Sequence, residues 1–464
     1  MALAVLSSLE DIFKGIKKFT FEYSPDFMEA IINKLVDLLA LNNHTMDKRS
    51  FLKNLGMLSL TGVPLWQSLD LLAKQTSHIP AEEIAKDEDF WEAIRSGYKL
   101  KPDYINLENG YYCFLPQEIL ESYLNHIREV NYQGSYYMRT VQWDNKKKMA
   151  ARLAEIAGCT PEELIITRNT TESLDMIIGG QQWKAGDEAV MAEQDYGAML
   201  DMFKQVERRY GVVNKIISVP NHPTSDEEIV KLYANAITDK TRLLMVCHMV
   251  NITGQILPIR KICDMAHSKG VEVLVDGAHA FAHINFSIPD LDCDYYGASL
   301  HKWLSVPLGA GILYVKKGKA SKIWPLLGEE GRKEDDIYRL NHTGTHPVHT
   351  DLAIADSIDF YIKIGRDRKE SRLHYLQNYW TSRVRNMPHI EVNTPEDPKR
   401  YCGIGNVGVK GMKPQLLAET LLKKYKIYTV AIDGAGVHGC RITPNLYTTT
   451  KELDAFVEAL KTLG

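Results

Sequence analysis

The chain has 464 residues, of which 45% are apolar and 25% are charged, as in ordinary globular proteins. This length exceeds what one hydrophobic core usually holds, so we expect two or three domains. The 55 basic and 59 acidic side chains leave a net charge of −4, which gives no electrostatic reason to expect a nucleic-acid partner or an anionic membrane surface.

Residues 1–100 are expected to form a helical N-terminal extension. Apolar side chains recur at helical spacing in 27–41 and again around 66–72. The segment 46–65 begins Met-Asp-Lys-Arg and resembles a twin-arginine export signal in which Lys48 replaces the first arginine. The competing interpretation of this segment is an amphipathic helix within the extension.

Cysteine usage and hydropathy indicate the compartment. Seven cysteines are dispersed without a Cys-x-x-Cys pair, which is typical of reduced thiols in a cytoplasm rather than of a disulfide framework. No apolar run approaches the roughly 20 residues that a membrane span needs. We therefore expect a cytoplasmic protein without a membrane partner, with periplasmic export through 46–65 as the alternative.

From about residue 160 the chain alternates between strands and helices. Near-continuous apolar strands bridged by helices predict an α/β domain with a seven-stranded, mostly parallel sheet covered on both faces. Strands are expected at 164–167, 189–192, 215–219, 243–249, 271–275, 295–298 and 311–315, with helices at 171–178, 198–209, 226–236 and 259–268. After 365 a smaller α+β unit follows, with helices at 367–386, 414–424 and 451–463. The expected division is a segment at 101–120 that joins the small domain, a large domain at 121–365, and a small C-terminal domain at 366–464.

A carboxylate and a lysine follow two neighbouring predicted strands. Asp276 ends the apolar strand 271–275, and Lys302 lies shortly after the strand 295–298. Open parallel sheets bind ligands beyond the carboxyl ends of their strands. Pyridoxal 5′-phosphate (PLP) needs an amine for a Schiff base and an anion that faces its pyridinium nitrogen. The pattern therefore predicts a PLP enzyme that acts on an amino acid.

A Thr-Thr pair opens the helix after the first predicted strand. Thr170 and Thr171 offer backbone N–H groups, hydroxyls and the positive end of a helix dipole, which suit a phosphate. Such residues alone indicate a plain helix cap. Together with Asp276 and Lys302 on the same sheet edge, they favour a phosphate site.

Seven ordered sequence blocks resemble the class V PLP enzymes of the aspartate aminotransferase fold (fold type I). Within this class the chain is most similar to the branch of isopenicillin N epimerase, whose relatives include cysteine desulfurases and C–S lyases. The blocks are TRNTTES (167–173), EQDYGAM (193–199), HMVNITGQILP (248–258), VDGAHA (275–280), ASLHKW (298–303), NHTGTHP (341–347) and CRITPNLYTT (440–449).

The resemblance implies a role for each matching cofactor residue. Lys302 is expected to form the Schiff base and to move the Cα proton, while Asp276 keeps the ring nitrogen protonated. Tyr196 is expected to stack on the ring, and His279 to donate to its phenolate oxygen. The phosphate cup is expected to consist of Thr170, Thr171, Ser299 and His301, completed from a second subunit by Gly344 and Thr345. A homodimer with active sites at its interface is therefore expected.

Substrate recognition is expected from Arg441, which matches the family's clamp on the α-carboxylate. Its guanidinium fork gives two parallel bonds to a carboxylate and so selects the Cα bond that breaks. Thr448 stands where relatives often have Asn. Asn251 is expected to assist the same carboxylate or the phenolate oxygen.

The resemblance leaves the reaction open among epimerisation, β-elimination from a cysteine-like substrate and transamination. Desulfurases carry a nucleophilic cysteine on a mobile loop ahead of the arginine, whereas the loop expected at 431–439 contains none. An epimerase needs a second acid/base opposite Lys302, for which Tyr112, Tyr137 and His248 are candidates. A non-catalytic scaffold that keeps the fold is the alternative of a different class.

Two further motifs are weighed against structural explanations. Residues 434–439 spell Gly-x-Gly-x-x-Gly, the dinucleotide fingerprint, but Pro444 breaks any helix that would follow. His342, His346 and His349 lie close together, but Pro347 interrupts them. A loop without metal is favoured there, and no metal site is expected.

Overall fold

The computed structural model describes residues 65–328 and 331–464, which lie within one compact unit, Pro64–Gly464. The helices, α1 to α15 in chain order, are Leu65–Gln75, Ala81–Ile84, Glu88–Arg95, Gln117–Gln133, Ser135–Thr140, Gln142–Ala157, Thr170–Gly180, Gly197–Tyr210, Asp226–Ala236, Ile259–Ser268, Ile288–Leu291, Val348–Ile364, Arg366–Val384, Pro414–Tyr425 and Thr450–Lys461. The strands, β1 to β13, are Ile105–Asn106, Leu164–Thr167, Glu188–Ala192, Val213–Ile217, Thr241–Cys247, Glu272–Asp276, Tyr295–Ser299, Gly311–Val315, Ile390–Val392, Gly405–Val409, Ile427–Tyr428, Val430–Gly434 and Val437–Ile442.

A seven-stranded sheet forms the centre of the fold. Its strand order is β2-β8-β7-β6-β5-β3-β4, and β8 runs opposite to the other six strands. Residues of β2, β3, β7 and β8 are buried throughout, because helices cover both faces of the sheet. The expected α/β architecture with a mostly parallel seven-stranded sheet is confirmed.

A smaller antiparallel sheet follows, with the order β12-β13-β10-β9. Apolar side chains from α13, α14 and α15 share its core, including Trp380, Leu417 and Phe456. Strand β1 pairs in parallel with β11, with Ile105 opposite Ile427. The short segment before the large sheet therefore contacts the C-terminal elements, and the division at 365/366 stays a prediction.

The predicted and observed strands differ where an apolar, buried stretch of the chain forms a loop instead of a strand. The strands at 164–167 and 311–315 have the predicted bounds, whereas β5 ends at Cys247. The apolar run continues to Met249, which makes only an isolated bridge to Ile256, because the loop itself packs into the core. Helix α12 was not predicted, since its apolar residues lie on most of its circumference and show no single stripe.

The predicted helix at 66–72 lies within α1, whereas the helix at 27–41 and the export-like motif at 46–56 lie outside the described residues. Among the helices that the structure describes, none has both the length and the apolar character to cross a membrane.

Candidate active site

Six parallel strands end at the same edge of the large sheet. Asp276 at the end of β6 lies opposite Cys247 of β5 and Gly297 of β7 in the strand register. A cavity of about 360 Å³ lies at this edge, as expected for an open α/β sheet. Ten predicted site residues line it: Thr170, Thr171, Tyr196, Asn251, Asp276, His279, Ser299, His301, Lys302 and Arg441.

Gly344 and Thr345 do not line this cavity within the single chain. They lie in the loop between the 3-10 helix Ile337–Asn341 and α12, and Gly344 has a positive φ of 69°. The resemblance assigns both residues to the site of a second subunit, so their role stays a prediction.

Lys302 lies in the loop that follows β7, and its side chain is partly buried. The Nζ atom is 2.9 Å from Nε2 of His279. Burial lowers the pKa of Lys302 to about 8, and the Asp276 carboxylate opposes this shift. A reactive, uncharged amine is therefore accessible much closer to neutral pH than for an exposed lysine.

Asp276 is held at the strand end by its neighbours. Its Oδ1 accepts a hydrogen bond of 3.0 Å from the Ala278 N–H, and its Oδ2 lies 3.9 Å from Sγ of Cys247. Burial raises the pKa of Asp276, while the Ala278 bond and the charge of Lys302 lower it. Gly277 lacks the Cβ that would stand 1.9 Å from the ring of Tyr296, so the chain can turn at this point.

The start of α7 forms a polar cup beside the lysine. The helix cap is Asn169, whose side chain accepts from the Glu172 N–H, and Thr170 is therefore free for other bonds. Ser299 Oγ accepts from the Thr170 N–H at 2.8 Å and lies 2.7 Å from its hydroxyl. The buried Nδ1 of His301 has no hydrogen-bond partner among the described residues. An unpaired buried nitrogen is costly unless a ligand bonds it.

Arg441 on β13 is fixed by a carboxylate that the sequence did not reveal. Its Nε donates to Glu108 Oε2 at 3.1 Å, and its Nη2 donates to Glu108 Oε1. Nη1 lies 3.3 Å from the backbone oxygen of Asn251. Gly110 packs on the guanidinium, since a Cβ there would stand 2.9 Å from Cζ. These contacts use Nε and one hydrogen each of Nη1 and Nη2, so one N–H on each of Nη1 and Nη2 remains available to a second carboxylate.

The three candidates for a second acid/base do not line the cavity. His248 is buried, and burial lowers its pKa to about 3. Tyr137 accepts a hydrogen bond of 3.1 Å from Asn145. Tyr111, the residue before Tyr112, lines the cavity instead and was missed, because the sequence shows no difference between the two tyrosines.

The loop expected at 431–439 is a hairpin, so that expectation is wrong. Strands β12 and β13 pair in antiparallel register from Val430 opposite Arg441 to Gly434 opposite Val437. Ala435 and Gly436 both have positive φ, as a two-residue type I′ turn requires. The Gly-x-Gly-x-x-Gly motif therefore serves a hairpin turn, and Cys440 is buried on the second strand of the hairpin.

The histidines near Pro347 do not share a metal centre. His346 Nε2 lies 3.0 Å from Asp351 and 3.5 Å from the amine of Lys146, while His349 packs against Tyr123. Within residues 65–328 and 331–464, no group of three or more His, Cys, Asp or Glu side chains surrounds a point where a metal ion would bind.

The arrangement of strands and the lysine at the sheet edge define an enzyme of the aspartate aminotransferase fold. The family model of aminotransferase class-V matches residues 114–456. The chain belongs to this family of PLP-dependent enzymes, which confirms the expected fold and cofactor class.

Three comparisons illustrate the relationship. An isopenicillin N epimerase of Streptomyces clavuligerus is 26% identical over 394 residues, covering 80% of this chain and 98% of the relative. A probable cysteine desulfurase of Halalkalibacterium halodurans is 25% identical over 376 residues, covering 74% and 88%. The structure of a C-DES variant with glycine covalently linked to its PLP cofactor superposes with a TM-score of 0.70 at 20% identity, covering 77% of this chain and 96% of that one.

Proposed function

We propose that this protein binds PLP through Lys302 and acts at Cα of a free amino acid or an amino-acid-like substrate. The reaction is epimerisation or elimination at Cβ, as in a C–S lyase. The observation that carries the proposal is that one cavity is lined by the amine of Lys302, the carboxylate of Asp276 and the guanidinium of Arg441. Asp276 and Arg441 are buried and Lys302 is partly buried, and no packing requirement of the fold explains three such charged groups around an open space.

The residues present fit the cofactor. The hydroxyls of Thr170 and Ser299, the N-terminus of α7 and the unpaired Nδ1 of His301 supply hydrogen-bonding groups for a phosphate. Asp276 supplies an anion for the pyridinium nitrogen, and Tyr196 lines the cavity as a ring-stacking partner. When bound, PLP draws off the electron pair left at Cα after a bond to that carbon breaks.

The protein's own groups direct this chemistry. Lys302 attaches the cofactor and, when uncharged, accepts the Cα proton. Arg441 orients the substrate through its carboxylate, while Glu108 holds the guanidinium plane in place. His279 supports the cofactor's phenolate oxygen, and Asn251 lies beside the clamp.

Persulfide transfer is disfavoured, although relatives include cysteine desulfurases. The segment ahead of Arg441 is a hairpin whose one cysteine, Cys440, is buried on the paired strand β13, and burial raises the pKa of its thiol. Cys247 lines the cavity, but its thiol lies beside Asp276 at the strand end, and burial raises its pKa well above the ordinary value. Cys113 is fully buried and bonded to Asn445 and Asn109. Neither thiol is a mobile, ionisable nucleophile.

We also propose a homodimer in which a second subunit closes each site. Tyr111 and Leu308 line the cavity, yet they are 75% and 59% exposed in one chain. Large exposed apolar residues at a site are typical of a surface that another chain covers. Sedimentation analysis of the holoenzyme tests this, and a fully active monomer would contradict it.

The activity is tested with a panel of L- and D-amino acids in D₂O. Cα exchange, inversion, pyruvate release and keto-acid formation are followed separately, with Lys302→Ala as the inactive control. Exchange with inversion identifies an epimerase, and pyruvate release identifies an elimination. Keto acid as the main product would replace the proposal with an aminotransferase. A colourless protein that takes up no PLP would support the non-catalytic scaffold.

A further inference from the structure

A buried indole faces the histidine beside Lys302. Nε1 of Trp303 lies 3.3 Å from Nδ1 of His279, and both residues are buried. An indole N–H is only a donor. Nδ1 of His279 must therefore accept this bond and carry no proton.

The proton of His279 is thereby assigned to its other nitrogen. Burial holds the pKa of His279 well below its ordinary value, so the ring is neutral and carries one proton, on Nε2. Nε2 is the atom that lies 2.9 Å from Nζ of Lys302. An Nε2–H group facing the amine makes the amine the acceptor, and only an uncharged amine can accept.

A second histidine is assigned by the same reasoning. The backbone N–H of Gly403 donates to Nε2 of His283 at 2.8 Å, so the proton of His283 lies on Nδ1. Nδ1 in turn donates to the backbone oxygen of His279 at 2.8 Å. The ring of His283 also packs on that of Trp303, with centroids 3.7 Å apart. The indole N–H of Trp303 and the backbone N–H of Gly403 can only donate. They therefore determine which nitrogen of His279 and of His283 accepts and which one carries the proton.

We propose that Trp303 is a positioning residue that, through His279, favours the uncharged, reactive form of the Lys302 amine. This inference rests on the proposed function for the role of the amine, but the proton positions do not depend on it. The network also ties the loop at Gly403, ahead of β10, to the lysine loop that follows β7. The other titratable groups that act on Lys302 or His279 are Asp276, Arg441, Cys113, Cys247 and His301.

Trp303→Phe removes the donor and keeps an aromatic ring over His283. The matched control is Trp380→Phe, which removes an equally buried indole donor that bonds Gln377 at 3.1 Å in the C-terminal core. Without the Trp303 donor, the proton of His279 can move to Nδ1, and Nε2 can then accept from a charged amine. We expect the pKa of Lys302 to rise by about one unit, as the loss of one hydrogen bond implies.

The measurement uses the full-length protein freed of cofactor with hydroxylamine. Nitrogen-15 NMR of labelled histidine reports which ring nitrogen carries the proton, with His279→Gln identifying the signals. Carbon-13 NMR of labelled lysine titrates Lys302, with Lys302→Ala identifying its signal. We expect Nε2–H in the wild type and in Trp380→Phe, and a shift toward Nδ1–H with the raised lysine pKa in Trp303→Phe.

A proton on Nδ1 of His279 in the wild type would overturn the inference, even if Trp303→Phe fails to fold. So would an unchanged histidine spectrum and lysine pKa in a folded Trp303→Phe protein. Failure of PLP to attach to Lys302 would instead remove the proposed function and leave the proton assignment intact, so the two failures are distinguishable.

Discussion

Gly110→Ala perturbs the substrate clamp without removing any charge. The new Cβ would stand 2.9 Å from Cζ, 3.0 Å from Nη2 and 3.1 Å from Nε of Arg441. The first distance is shorter than a Cβ atom tolerates, and the other two are tighter than most Cβ contacts. The guanidinium cannot swing away freely, because Nε and Nη2 are bonded to Glu108. The substitution must therefore break at least one of these charged hydrogen bonds or tilt the fork.

The expected magnitude follows from that loss. A hydrogen bond to a charged group contributes about 1.5–3 kcal/mol, which corresponds to a roughly 10- to 150-fold decrease in kcat/KM. The same clash disturbs a buried ion pair and should also lower the free energy of unfolding, so the kinetics are measured under conditions where urea unfolding shows the variant to be folded. If the substrate and the transition state bind the clamp equally, the decrease in kcat/KM should appear mainly as a higher KM, with kcat little changed.

The assay is kcat/KM for Cα exchange with the best amino acid of the panel, together with urea unfolding of each variant. Gly434→Ala is the matched control, because its Cβ meets no atom within 4 Å. We expect near-wild-type kinetics for Gly434→Ala. An unaltered kcat/KM in Gly110→Ala would refute the assignment of Arg441 as a clamp held by Glu108.

Four further outcomes are expected. Arg441→Ala should lower kcat/KM by an amount equivalent to about 2–5 kcal/mol of transition-state binding, the range for a buried charge pair that loses one partner. Unchanged kinetics would contradict the role of Arg441 as the carboxylate clamp. Asp276→Ala should slow Cα exchange roughly 100-fold or more, and an equal rate would exclude the pairing with the ring nitrogen. The rate at which cofactor-free protein captures PLP should rise with pH to a midpoint near the pKa of Lys302, about 8, because only the uncharged amine reacts; a midpoint near 10.5 would indicate an exposed amine. Arg372→Met should lower the free energy of unfolding by about 3 kcal/mol, because the buried guanidinium donates to the backbone oxygens of Ala85 and Thr448; unchanged urea unfolding would contradict this.

The sheet and the residues at its edge were predictable because they depend on local pattern. A parallel sheet brings the carboxyl ends of its strands to one edge, so Asp276 and Lys302 were expected together before any contact was known. The family blocks then placed Arg441 and His279 at the same site.

Glu108 was not predictable in this way. It meets Arg441 across 333 residues of sequence, and a carboxylate in a short strand-like segment shows no sign of its partner. The hairpin at β12–β13 was also missed, because Ala435 adopts a positive φ that its residue type does not suggest. The role of Trp303 depends on the direction in which its indole points, which strand and helix patterns do not determine.

The most direct test is to map the lysine that holds the cofactor. The protein is loaded with PLP, reduced with borohydride to make the linkage permanent, digested and analysed by mass spectrometry. Lys369 provides an internal control, because burial lowers the pKa of its amine to about 8 as well, but Lys369 does not line the cavity. We predict modification of Lys302 alone. Modification of Lys369 instead, or no modified lysine, would contradict the account.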